Sequence, residues 1–345
     1  MRLFFLNSRS CVILRSGSGF SITAILAIMA ILARHPASGQ EKTAEFAKLD
    51  ASALPVSARI HIGGDPDWLA IGLGSVWVSV PKNNEIVRID PRHDVVQARI
   101  PVDQEPCYGI GVGRTRVWVL NCKSQTLTRI DPEKKNVDLR ISVSIADHGE
   151  GSIAVDDNGV WFVGNEDGHS STLVHVDPID GGVLRKIPVG PESAVVTLGF
   201  GSVWVTSSGD HKVYRIDPKS GNIAARIEVA AKPRFTTIGA GSVWVLSQAD
   251  GSVTRINPAT NSVQSVINAG VPGAGGDIAT GGACVWVAAA GTPLTRIFLQ
   301  SEEVADQYGN YKGADAIRFG FNSVWISDHG KGDVWKIDPG KLPVY

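Results

Sequence analysis

A tryptophan tripeptide returns at nearly constant spacing along this chain. It runs from Val76-Trp77-Val78 through Val117-Trp118-Val119, Val160-Trp161-Phe162, Val203-Trp204-Val205, Val243-Trp244-Val245 and Val285-Trp286-Val287 to Val324-Trp325-Ile326. The Trp-to-Trp spacings are 41, 43, 43, 40, 42 and 39. About ten residues after each comes a second signature, such as Val87-Arg88-Ile89-Asp90-Pro91 or Tyr214-Arg215-Ile216-Asp217-Pro218. A period of 40–45 with β-rich content marks four-stranded propeller blades. One such sheet cannot bury both of its faces, whereas seven stacked in a ring do. The expected fold is therefore an all-β, seven-bladed β-propeller of four-stranded blades.

Within each repeat an inner strand, such as Trp68-Leu69-Ala70-Ile71, precedes the Val-Trp-Val strand, and a glycine turn such as Gly72-Leu73-Gly74 joins them. The Arg-Ile strand is third, and the Asp-Pro turn leads into an outer fourth strand such as 96–100. The last repeat stops after its third strand, and 56–62 is an orphan outer strand ahead of the first. The N-terminal strand is thus expected to complete the last blade and close the ring, which removes exposed sheet edges. The recurrent Arg and Asp are expected to pair or cap turns locally, since seven copies around a ring suit scaffold better than an active site. The excess of glycine, 38 residues, fits repeated tight turns.

The first forty residues read differently. Arg2, Arg9 and Arg15 precede a 14-residue apolar run, Phe20 to Ala33, which ends in a small-residue exit at Ala37-Ser38-Gly39. That pattern predicts a secretory signal peptide over 1–39, too short in its core to span a bilayer, followed by a linker over 40–55 and the propeller over 56–345. No later segment is long and apolar enough to span a membrane. The chain carries 33 Lys+Arg against 34 Asp+Glu. Loss of Arg2, Arg9, Arg15 and Arg34 with the signal leaves 29 against 34, a net charge of −5. That balance argues against a nucleic-acid binder. A periplasmic or secreted location is expected, as is a monomer.

Export makes the cysteines informative. Cys11 leaves with the signal, so three remain. Cys107 begins the inner strand of blade 2 and Cys122 ends the next strand, so an antiparallel pair places them opposite each other and predicts a disulfide. Cys284 is expected as a small core residue. No spacing of a zinc knuckle and no phosphate- or dinucleotide-binding fingerprint is present.

Residues that break the repeat are the functional candidates. The loops between blades and those joining second to third strands share one face of a propeller. They carry Asp147-His148-Gly149-Glu150 and Asn165-Glu166-Asp167-Gly168-His169 in blade 3, Asp210-His211 in blade 4 and Asp328-His329 in blade 7. Blade 1 adds Asp65 and Asp67, blade 2 Glu105 and Tyr108, and blade 5 Arg234. The candidate catalytic set is His148, Glu150 and Glu166. The candidate ligand-binding set is Asp67, Tyr108, His169, His211, Arg234 and His329. Such a ring can bind a divalent cation, Mg or Ca, through carboxylates, or set a His general base beside a metal. The competing reading is that loops are hydrophilic and Asp-Gly or His-Gly pairs simply form turns. No Ser-His-Asp triad is singled out by spacing.

The unit Gly-Ser-Val-Trp-Val, Val-x-Arg-Ile-Asp-Pro and an outer strand such as Val183-Leu184-Arg185-Lys186-Ile187 resembles the YVTN-type bacterial propellers and the related virginiamycin B lyase (streptogramin lyase) group over roughly 56–340. The resemblance implies a periplasmic or secreted seven-bladed propeller and, in some members, a magnesium-dependent lyase that opens a cyclic depsipeptide by β-elimination at an ester. That lyase uses a His on one blade and a Glu-x-His pair plus a further Glu on the next. Blade 3 carries His148-x-Glu150 with the types reversed, and Gly164 stands where the further Glu is expected, with Glu166 two residues on. Two function classes lead. One is an exported binding or scaffold propeller of the cell envelope, taking a small ligand, glycan or protein at its loop face. The alternative is a metal-assisted lyase or lactone hydrolase. Quinone-dependent redox chemistry lacks its tryptophan docking motifs and adjacent cysteine pair.

Overall fold

In the computed structural model the described residues are 46–145, 151–165 and 170–344. The segment read as a signal peptide lies outside them. Seven antiparallel sheets follow one another in chain order. Blade 1 is typical, with strands Leu69–Gly72, Ser75–Val80, Glu85–Asp90 and Val95–Pro101 from the axis outward. The tryptophan strand is buried at every position in six blades of this length, because it is covered on both faces by neighbouring blades. The seven tryptophans are at most 1% exposed. Outer strands instead alternate between exposed and covered residues, as in Val95–Pro101, because only one face packs on the blade beside them.

The two glycines of the blade 4 hairpin serve different needs. Gly199 ends an inner strand, and a Cβ there would lie 2.8 Å from Cδ1 of Ile238 on the next blade. Its carbonyl also accepts the Trp204 indole N–H at 3.0 Å, a bond repeated in blades 1, 5, 6 and 7. Gly201, two residues on, has φ +67° and supplies the left-handed turn.

The recurrent arginine departs from the local reading. Arg215 lies over its own Trp204 ring at 5.1 Å, donates from Nε to Ser202 Oγ at 2.8 Å, and then reaches the next blade, where Nη1 meets Pro258 O and Asn261 Oδ1. Arg88 and Arg129 likewise reach Pro132 O and Pro178 O. Lys336 closes the circle from blade 7 to blade 1, donating to Pro91 O at 2.8 Å and Asp94 Oδ1 at 2.7 Å. These side chains are therefore seams between blades. The cationic heads are held in the crossing direction by resting on the tryptophan face, the guanidinium of Arg88, Arg129 and Arg215 and the ammonium of Lys336 alike. Blade 3 substitutes His175, which stacks on Trp161 at 3.7 Å and bonds Asn158 O. Burial holds that imidazole below its usual pKa. There Arg185 makes the crossing, to Lys219 O. The aspartates do behave locally: Asp217 Oδ1 accepts the backbone N–H of Lys219 and Ser220, which hold its carboxyl below the usual range.

Ring closure follows the expected route. Val56–His61 pairs antiparallel with Asp333–Ile337 as the outer strand of blade 7, from Val56 opposite Ile337 to His61 opposite Asp333. Upstream, within the stretch read as linker, Ala47–Asp50 adds a parallel fifth strand to Val304–Gly309 of blade 6. Cys107 and Cys122 form a disulfide with Cα atoms 5.8 Å apart. Cys284 is buried beside Trp286, and burial pushes its thiol up to about 11. Among the described residues there is no α-helix, and no helix is long and apolar enough to cross a membrane.

Candidate functional site

Counting back ten residues from each repeat tryptophan reaches the start of the inner strand, at the loop-face mouth of the channel. The residues there are Asp67, Tyr108, Gly151, Ala194, Arg234, Gly276 and Asp315. Two of the seven are aspartates, and they sit on blades 1 and 7, which are neighbours in the closed ring. His329, from the loop joining the second and third strands of blade 7, completes a cluster. One ligand atom each from Asp67, Asp315 and His329 lie within 4.8 Å of one another. Asp315 is fixed by accepting the Gly276 N–H at 2.9 Å, and His329 by donating its backbone N–H to Gly313 O at 2.7 Å. Behind them the Tyr311 hydroxyl donates to the carboxylate of Asp328, the residue before His329. Burial and that carboxylate both raise the Tyr311 pKa, so the phenol stays a donor and holds the loop.

One layer deeper, Trp68 and Phe235 meet across the channel from blades 1 and 5, with ring centroids 5.8 Å apart. The Trp68 indole N–H donates to Cys107 O at 2.9 Å, so the disulfide-tied end of blade 2 positions this ring. The mouth is thus an aromatic floor with a carboxylate–imidazole cluster at its blade 7–blade 1 edge.

Of the residues expected at the face, Asp67 and His329 are brought together. Tyr108 is fully buried against Gly151, and Arg234 is nearly so beside Phe235. His211 has φ +59° and its carbonyl accepts Val229 N–H, a turn position in blade 4. Asp65 caps Lys82 N–H, and Glu105, with φ +62°, turns the chain before Cys107. Four candidates, His148, Glu150, Glu166 and His169, lie outside the described residues. Asp315 was not singled out from the sequence. Its signal is its register: it stands at the same repeat position as Asp67.

Below the floor a cavity of about 340 Å³ follows the axis, lined by inner strands of all seven blades. Its side chains come mainly from positions nine and seven before each tryptophan. Those positions are apolar or small in most blades but carry Asp277 in blade 6 and Arg318 in blade 7. The two form an ion pair. Asp277 is 2% exposed, and burial lifts its carboxyl to about 6 against the opposing pull of Arg318.

No family model and no curated protein sequence matches the chain. Solved structures do. Virginiamycin B lyase from Staphylococcus aureus is 17% identical with a TM-score of 0.68, the match covering 81% of this chain and 98% of that one. A catalytically inactive form of that enzyme, solved with quinupristin, gives the same figures. A streptogramin B lyase structure is 20% identical with a TM-score of 0.67, covering 82% and 94%. The β-propeller domain of Cps50 (Swd1) from Myceliophteria thermophila is equally similar in shape, with a TM-score of 0.68 at 9% identity, covering 82% and 98%. At these identities the likeness concerns the fold, and it extends equally to propellers of other kinds.

Proposed function

We propose that this protein is an exported binding propeller of the cell envelope, which takes a small ligand at its loop face through a divalent cation. The convergence of Asp67, Asp315 and His329 at the channel mouth carries this reading. Two carboxylates and an imidazole offer three protein ligands and leave coordination positions open for a ligand oxygen. Carboxylates alone suit Mg or Ca; an imidazole among them widens the set to Mn and Zn. Trp68 and Phe235, 5% and 2% exposed, pack beneath that charge and give the mouth an apolar lining beside few polar anchors, the combination that small-molecule sites use.

A second reading draws on the same cluster and on the lyase folds. A cation at this edge would polarise an ester carbonyl, and His148, Glu150 or Glu166 would supply the base of a metal-assisted lyase or lactone hydrolase. A thermal-shift titration with Mn, Mg, Zn and Ca, on the native protein and on Asp315→Asn and His329→Ala, tests the first reading. A rise in melting temperature with at least one ion, lost in both variants, is expected. Equal shifts in the variants would reject the site. Incubation with quinupristin then separates the readings: metal-dependent ring opening would establish the lyase, and an intact ring with a metal-dependent shift supports the binding protein.

A further inference from the structure

The channel below the aromatic floor holds a feature that ring assembly does not require. The other six blades carry Ala70, Gly111, Ala154, Thr197, Thr237 and Ala279 at the position of Arg318, all small and uncharged. A buried ion pair is costly to desolvate and is weak evidence of a stabilising purpose. Here the pair is held with unusual definition. Asp277 Oδ1 accepts Ile278 N–H at 2.8 Å and Oδ2 accepts Ile317 N–H at 3.2 Å. Arg318 Nη1 is bound by Asp277 and by its neighbour's carbonyl, Ile317 O, at 2.7 Å. Among the described residues no protein acceptor meets Nε or Nη2, while the side chain lines the cavity and keeps 27% of its surface open. The guanidinium is therefore fixed along one edge and presents its other edge, two parallel N–H groups, into a space of about 340 Å³.

That edge matches the two oxygens of a carboxylate. Blades 1 to 3 line the space with Trp68, Ala70, Gly109 and Ser152 and carry no charge there, while Thr197 and Thr237 line it from blades 4 and 5. The space equals that of about ten waters, or one small organic molecule. We propose that the central channel, whose lining includes Trp68 and Phe235 of the mouth, is a second binding site, for a small monocarboxylate whose acid group sits on Nε and Nη2 of Arg318 and whose body lies in the uncharged part of the channel. Asp277 is the positioning residue that aims the guanidinium.

Isothermal titration at pH 7.5 with benzoate, hexanoate and the neutral isostere benzamide tests this. Binding of at least one acid, with benzamide at least tenfold weaker, is expected. Arg318→Lys keeps a positive charge beside Asp277 but loses the fork, and should weaken the acid at least tenfold. Arg92→Ala, on an exposed outer turn, should leave it unchanged. Should Arg318→Lys fail to fold, a crystal soaked with 4-bromobenzoate decides: anomalous bromine density in the channel, with the carboxylate on Arg318, is expected. No acid binding, equal binding of the amide, undiminished binding by Arg318→Lys, or bromine only outside the channel would each overturn the proposal.

Discussion

At the residue scale, Asp277 shows how a ring of repeats can host one charge that the repeat itself does not provide. Its carboxyl is lifted by burial from 3.8 toward about 6. The folded protein then holds that proton more tightly than the unfolded chain does. Between pH 4 and 6 the native state binds more protons at this site, so its contribution favours folding at the acid end and is lost as pH rises through about 6. Asp277→Asn cannot titrate. The stability of the native protein minus that of the variant should therefore fall by about 2 kcal/mol from pH 4 to pH 7, by urea denaturation. A difference that grows with pH over this window would mean a carboxyl held down, not up. The aspartates of the Asp-Pro turns act in the opposite direction, because the His93 side chain and the Arg92 N–H at Asp90, and the Ser220 and Lys219 N–H groups at Asp217, favour the charged form. Comparison with the single variant removes their common background.

At the element scale, the blade is a four-stranded sheet whose stability depends on its neighbours. The third-strand arginine is the link. Arg215→Ala would remove the contacts to Ser202, Pro258 and Asn261 and uncover Trp204 in one step. A loss of about 2–3 kcal/mol is expected in urea denaturation, while Arg92→Ala on the exposed turn should stay within about 0.5 kcal/mol. Equal effects would mean that the seams carry no stability. The strand order within each blade was legible from Val-Trp-Val, the glycine turn and Asp-Pro, since these report local hydrogen bonding and local turns. The seam was not legible. A repeat reveals that a side chain recurs, but not that it spans to the next copy, because reach across a ring depends on how closely the blades stack. The tryptophan beneath each arginine was the available hint.

At the scale of the whole molecule, closure by Val56–His61 brings the first and last blades together. That is why Asp67 and Asp315, nearly 250 residues apart, become neighbours. The closure itself was readable, because an orphan outer strand precedes the first repeat and an incomplete blade ends the last. Asp67 and His329 were recognised as polar loop residues, but loop polarity does not say which loops converge. Applying the tryptophan register to Asp67 and then joining blade 7 to blade 1 identifies Asp315. The most direct test of a cation-dependent loop face is the anomalous difference map of a crystal grown with Mn²⁺. A manganese peak bonded by Asp67, Asp315 and His329, and absent in crystals of Asp315→Asn, is the predicted result. A well-ordered mouth with no peak between these three side chains, or with the ion bound elsewhere on the face, would contradict it.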